Sequence, residues 1–266
     1  MKYMKALVQT YQLLKRSLPR SMQPYLLAHA LYHCLCGGRV LSGPFAGLRY
    51  VRTSVGSSFY NKLIATYEME LHDWVRRWIA APYDLLVDIG SAEGYYAVGM
   101  AWSCPGLHVA AFEGDKLGTR LLQRMARLNG VQDRIECKGF CSVEGLQNEL
   151  RSSERPLLIV DCEGMENELL DPAVVDGLER AAIFVEVHFF ANADIKQVMR
   201  DRFSGTHEIE NIVMRERVPG DFPATGKRLL DGLDEKVQHY LMVEGRHEIA
   251  EWLFMTPKTD AATSSG

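Results

Sequence analysis

The run Leu85-Leu86-Val87-Asp88-Ile89-Gly90-Ser91-Ala92-Glu93-Gly94 constrains the fold more than any other part of this chain. An apolar segment reaches an acid, turns on two glycines and opens onto helix-forming residues, which predicts a strand, a tight loop and a helix. A ligand lying across the carboxyl end of such a strand approaches the backbone closely, and a Cβ at Gly90 obstructs it or forbids the turn. Gly94 lets the next helix pack tightly. The same grammar repeats downstream: strands are predicted at 85–89, 108–113, 134–138, 157–161 and 182–187, with helices near 93–103, 115–129, 143–151, 165–180 and 192–202. Alternation of this kind implies right-handed crossovers and an α/β fold whose parallel sheet is covered on both faces. Helical spacing predicts a further helix from Leu63 to Ile79, ended by Pro82, and residues 48–60 suit a short extended stretch. His207–Val213 and Trp252–Thr256 read as sixth and seventh strands.

The second strand runs into Phe112-Glu113. An acid there is placed to accept hydrogen bonds from both hydroxyls of a ribose. Dinucleotide folds carry G-x-G-x-x-G, which seats a pyrophosphate on a helix N-terminus. This loop reads D-x-G-x-x-x-G instead, with Glu93 beside the second glycine. S-adenosylmethionine, which has no pyrophosphate, fits it better than a nicotinamide dinucleotide. The expected cofactor-binding set is Asp88, Gly90, Ser91, Gly94, Glu113 and Phe140.

At 266 residues the chain has room for one α/β domain with appendages, and no run of apolar residues is long enough to span a bilayer. The organisation expected is a basic helical extension over 1–62, a cofactor-binding domain over 63–257 and a disordered tail over 258–266. Residues 1–67 hold nine Lys or Arg and none of the 34 acids. With apolar residues interleaved, residues 1–40 suit either an anionic lipid surface or the acidic body of the same protein. No nucleic-acid recognition motif accompanies these charges, and no nucleic-acid partner is expected. His29, His33, Cys34 and Cys36 point around a helix's circumference and predict burial rather than metal ligation. The six scattered cysteines fit a reducing cytoplasm, so the expected location is cytoplasmic, with peripheral contact at the inner membrane surface. The polar stretch 214–250, carrying Pro219, Gly220, Pro223 and Gly226, is a candidate lid.

Two more strand ends concentrate polar chemistry. Leu157-Leu158-Ile159-Val160 runs into Asp161-Cys162-Glu163-Gly164, and Ile183-Phe184-Val185 into Glu186-Val187-His188. Neighbouring carboxyl ends in a doubly wound sheet face one crevice, so Asp161, Glu163, Glu186 and His188 are expected to converge beside the Gly90 loop.

On Val87-Asp88-Ile89-Gly90 through Gly94-Tyr95-Tyr96, on Phe112-Glu113, on Leu128-Asn129-Gly130-Val131, on Asp161-Cys162-Glu163-Gly164-Met165-Glu166 and on Val185-Glu186-Val187-His188, the chain resembles the FkbM-type methyltransferases, a branch of the class I S-adenosylmethionine-dependent superfamily. Thr66-Tyr67-Glu68 looks like that family's opening segment, and the chain departs from the pattern at Ile159 and Gly114, where lysine and proline are common. The resemblance implies a Rossmann-like, doubly wound, seven-stranded sheet, mostly parallel with an antiparallel last strand. It also implies O-methylation of a hydroxyl on a small-molecule, sugar or glycan acceptor. The alternatives are a noncatalytic S-adenosylmethionine-binding protein and an NAD-dependent oxidoreductase, which the loop disfavours. Asp161, His188 and Glu163 are the expected catalytic residues. In a metal-free version His188 or Asp161 removes the acceptor's proton, histidine being matched to neutral pH. In a metal version Asp161, Glu163 or Glu186 supplies oxygen ligands to Mg²⁺, which lowers the acceptor's pKa.

Overall fold

The computed structural model describes residue 33 and residues 36–224, 231–233, 235–246 and 249–258. The basic residues before His33, the cluster at His29 and Cys34, and the tail after Lys258 lie outside the described residues. The chain divides into two compact units, one drawn from Met1–Tyr67 and Arg217–Glu244, the other from Glu68–Glu216 and Gly245–Gly266. No helix among the described residues is long and apolar enough to cross a membrane.

The second unit is built on a seven-stranded sheet of order β3-β2-β1-β4-β5-β7-β6. Its strands are β1 (Leu85–Ile89), β2 (His108–Phe112), β3 (Ile135–Lys138), β4 (Pro156–Val160), β5 (Ala182–Glu186), β6 (His207–Val213) and β7 (Glu251–Pro257). Strands β1 to β5 pair in parallel, and β7 runs antiparallel to both β5 and β6. This is the Rossmann-like architecture expected, with the antiparallel strand last in sequence. Every residue of β1, β4 and β5 is buried, as befits parallel strands covered on both faces. Asp84, just ahead of β1, accepts hydrogen bonds from the Ser153 hydroxyl and from the Glu154 and Arg155 N–H groups, which fixes the Leu85–Pro156 register.

The crossover helices start and stop on legible signals. Helix α4 (Lys116–Asn129) begins where Asp115 accepts the Gly118 N–H, and ends on Gly130 in the left-handed region. Helix α5 (Val143–Arg151) begins where Ser142 accepts the Gly145 N–H. Helix α3 (Tyr95–Ser103) is buried over most of its surface, and α7 (Ile195–Phe203) turns Ile195, Met199 and Phe203 inward. Helix α2 (His72–Ala80) lays Trp78 against Phe184 of β5 and Phe254 of β7, with ring centroids 5.2 and 5.8 Å apart.

Three sequence expectations are corrected. The predicted helix over 63–79 is broken: α1 (Phe59–Ile64) in the first unit stops at Ala65 with φ +59°, Glu68 takes φ +42°, and a 3₁₀ turn at Met69–Leu71 leads into α2. Leu63, Ile64, Leu71, Val75 and Trp78 are all buried, so apolar spacing ran on through an interruption made by residue types without a turn signature. The helix predicted over 165–180 is a single turn, α6 (Glu166–Leu169), followed by loop and a 3₁₀ turn at Leu178–Arg180. Leu170, Val175 and Leu178 are buried from that loop; Pro172 and Gly177, the latter at φ +95°, forbid a continuous helix. The extended stretch over 48–60 reduces to one antiparallel bridge, Arg39 to Arg49, before α1 begins at Phe59. The candidate lid stretch carries a 3₁₀ turn at Pro219–Asp221 and helix α8 (Glu235–Met242), and Arg217–Glu244 belongs to the first unit.

Candidate functional site

The loop after β1 is tied to the end of β2. The Gly90 and Ser91 N–H groups both donate to the Phe112 carbonyl at 3.0 Å, and the Ser91 hydroxyl donates to the Asp88 carbonyl at 2.7 Å. Gly90 sits at φ +86°, and a Cβ there would come within 1.7 Å of the Asp161 carbonyl oxygen. The glycine is therefore required by the end of β4 before any ligand is considered. At Gly94, φ is +93° and a Cβ would meet Val98 at 2.8 Å and Leu122 at 3.0 Å, the close helix packing expected of it. Asp88 is buried and accepts the Ala97 N–H from the first turn of α3; burial, with Asp161 and Glu113 nearby, pushes its carboxyl up to about 7.

Glu113 follows β2 directly, and its carboxylate is pinned over this loop. One oxygen accepts the Ala92 N–H and the other the Asp115 N–H, each at 2.6 Å. A carboxylate has about four lone-pair positions, so each oxygen keeps an open site for one hydroxyl of a vicinal diol. Gly118 makes room for it, since a Cβ there would lie 2.9 Å from the Glu113 side chain. Glu93 is fully buried, and Phe140, two residues beyond β3, leaves 69% of its surface exposed. The pinned Glu113 carboxylate beside the Gly90 loop could hold the vicinal diol of a ribose such as that of S-adenosylmethionine.

The ends of β4 and β5 carry the second group. Asp161 follows β4 and donates its N–H to the Ile89 carbonyl; Glu186 closes β5 and His188 lies two residues further. His188 Nδ1 stands 2.6 Å from Glu166 Oε1, and the Glu166 side chain is 1% exposed. Nε2 faces Asp161 Oδ1 at 3.5 Å, Glu163 Oε2 at 3.8 Å and Glu186 Oε1 at 3.9 Å. Arg246, five residues before β7, bridges the carboxylates of Glu68 and Glu186. Tyr96 donates its hydroxyl to the other Glu68 oxygen, and the Trp252 indole N–H donates to the other Glu186 oxygen at 3.2 Å. The four expected residues do converge, with Glu163 at the exposed rim.

The charge balance sets the protonation states. Burial works against a charged imidazole, yet the hydrogen bond to Glu166 and the charges of Asp161, Glu166 and Glu186 push His188 up to about 9. Desolvation, reinforced by Glu68 and Glu163 and opposed by His188 and Arg246, pushes Asp161 up to about 6. Burial and the Asp161 charge, opposed by Arg246 and His188, push Glu186 up to about 7. Glu166 moves down despite its burial because it holds the imidazole.

Sequence reasoning missed Arg246 and Trp252 as site residues, and met Glu68, Tyr96 and Glu166 only inside the family resemblance. They come from five separate places in the chain, and no spacing pattern links them. Of the acids considered for Mg²⁺, Asp161 and Glu186 lie beside His188, and Glu163 lies further out at the rim. Among the described residues the close donors are Asp161, Glu186 and His188, all within 4.8 Å of one another. Mg²⁺ prefers near-octahedral oxygen ligation, which a set that includes an imidazole suits less well.

No family model matches the chain and no curated protein matches it. Similar solved structures include the MTase domain of METTL16, at 12% identity and TM-score 0.48, over 88% of this chain and 79% of that one. A human methyltransferase 10 domain containing protein is similar at 12% identity and TM-score 0.47, over 87% and 95%. An O-methyltransferase from Bacillus cereus in complex with SAH is similar at 11% identity and TM-score 0.42, over 72% and 80%. At these identities and TM-scores the similarity bears on neither substrate nor side chains.

Proposed function

We propose that the chain is an S-adenosylmethionine-dependent methyltransferase that methylates a hydroxyl on a sugar, glycan or natural-product acceptor. The observation that carries this reading is the seat of Glu113: a carboxylate with open lone pairs, fixed over the Gly90 loop, two strands from Asp161 at the same edge of the sheet. S-adenosylmethionine, when bound, supplies the methyl group as an electrophilic sulfonium. Glu113 and the loop from Gly90 to Gly94 hold its nucleoside. Asp161, partly exposed and next to the loop through its backbone, receives the acceptor hydroxyl and takes its proton as the new bond forms. His188 is held as a cation by its carboxylates and is in no state to accept a proton near neutral pH, so the role of base falls to Asp161. A positioned base contributes about 10²–10⁴ in rate.

The test is calorimetry with S-adenosylhomocysteine and with NAD, followed by methyl release against a panel of sugars, glycans and polyphenols. Binding of S-adenosylhomocysteine with methylation of one hydroxyl class supports the proposal. Tight binding of NAD in its place overturns it. Binding without turnover across an acceptor panel points to the noncatalytic alternative. A reducing, cytoplasmic location, with residues 1–40 resting on an anionic membrane surface, belongs to the same proposal and is supported by the scattered cysteines and one-sided charge of the sequence.

A further inference from the structure

We infer that Asp161, Glu186 and His188 form a binding site for a divalent first-row transition ion of the Mn²⁺ kind, with Glu166 orienting the histidine. The His188 side chain is only 10% exposed, and its ring is turned by a 2.6 Å contact from Nδ1 to the buried Glu166 carboxylate. That contact fixes Nδ1–H toward Glu166 and leaves Nε2 aimed into the group of carboxylates. There Nε2 makes no hydrogen bond of ordinary length: its neighbours are Asp161 Oδ1 at 3.5 Å, Glu163 Oε2 at 3.8 Å and Glu186 Oε1 at 3.9 Å, against about 2.7–3.2 Å for such a bond. A nitrogen on a side chain only 10% exposed, facing several carboxylate oxygens that are each just too far away, has the spacing of ligands around a shared cation. Two ligand atoms each about 2.1 Å from one ion, at tetrahedral to trigonal angles, stand roughly 3.4–3.7 Å apart.

The surroundings match a ligation shell. A ligating histidine usually gives its other ring N–H to a carboxylate, and ligating carboxylates are themselves hydrogen-bonded. Glu166 does the first, and Trp252 and Arg246 do the second for Glu186. Among the described residues, five carboxylates, Glu68, Asp161, Glu163, Glu166 and Glu186, gather around the Arg246 guanidinium and the His188 imidazole, a negative charge that a divalent ion offsets. The ion takes the place of the Nε2 proton. One imidazole with two carboxylates suits Mn²⁺, Fe²⁺ or Zn²⁺ better than Mg²⁺. Asp161 binds through Oδ1, which faces His188, and keeps Oδ2 for an acceptor hydroxyl. The site rests on its donors; only its role, lowering the pKa of that hydroxyl, rests on the methyltransferase reading.

Mn²⁺ titration of the full chain after chelator treatment, followed by the loss of the free-ion EPR signal, tests the site. One saturable Mn²⁺ per chain is expected, not displaced by a tenfold excess of Mg²⁺. Asp161→Asn and His188→Gln should each weaken it at least tenfold, and Glu166→Gln about tenfold, with circular dichroism unchanged. Spin-echo spectra of the wild-type complex should show coupling to an imidazole nitrogen, a readout that survives if a variant fails to fold. No saturable binding, ready displacement by Mg²⁺, or absence of nitrogen coupling overturns the inference. S-adenosylhomocysteine calorimetry run alongside separates the two readings: cofactor bound without Mn²⁺ removes the metal site alone, whereas Mn²⁺ bound without cofactor removes the methyltransferase reading alone.

Discussion

Glu113 shows how a side chain becomes a binding group by being immobilised. Both of its oxygens are already committed to backbone N–H groups, so little conformational entropy remains to be lost when a diol arrives. Glu113→Ala should weaken S-adenosylhomocysteine by about 1.5–3 kcal/mol, roughly ten- to a hundredfold, by calorimetry; unchanged affinity would remove it from the cofactor site. Asp161 makes the complementary case. Asp161→Asn should reduce methyl transfer at least tenfold while cofactor affinity stays within a few-fold, because the change spares the loop. Wild-type turnover in that variant would return Asp161 to a structural role. Gly90 and Glu113 were legible in the sequence as residue types, but not for the same reasons. The acid proposed for the ribose follows from its place after a strand, whereas the pressure on Gly90 comes from the Asp161 carbonyl, a contact between residues 71 positions apart that no local pattern encodes.

Among the elements, the edge strand β6 offers a pH-dependent test. His207 at its start is buried, with the Ala181 carbonyl 2.9 Å from Nε2 and the Thr206 hydroxyl 2.8 Å from Nδ1. Nε2–H donates to the carbonyl, the hydroxyl donates to Nδ1, and the ring is neutral. Burial moves its pKa down, so the unfolded chain takes up this proton at a higher pH than the folded one. The stability it contributes is complete above about pH 6.5, the ordinary histidine value, and declines as pH falls below it. In urea titrations the stability advantage of wild type over His207→Gln should therefore shrink between pH 7.5 and 5.5; a constant advantage would contradict the assignment. Strand positions and the helices with polar caps were legible because burial on both faces and Asp or Ser caps leave local marks. The two helices that failed did so because loops buried their apolar residues at helical spacing, a tertiary effect that periodicity cannot distinguish from a helix.

At the scale of the molecule, charge separates along the sequence: the first 67 residues hold no acid. If residues 1–40 rest on a membrane, vesicles containing anionic lipid should recover the protein by flotation at low salt and release it as salt rises, since such attraction is screened within a Debye length. Equal recovery on neutral and anionic vesicles would leave only packing as the reason for the charge.

The position of β7 governs the order in which the molecule can be assembled. It is the last strand among the described residues, yet it lies between β5 and β6, and β6 has no other partner among the described strands of the sheet. Strands β1 to β5 can zip together through successive crossovers, while β6 must wait, already synthesised, until the chain returns to cover it. Pulsed hydrogen exchange during refolding should show the amides of β6 and β7 gaining protection in one step, after those of β1 and β4. Glu186 meets Arg246 and the Trp252 indole in that same step. On that order, a chain with most of its sheet in place would still hold that carboxylate without Arg246, and the crevice would be completed only at the final stage of folding.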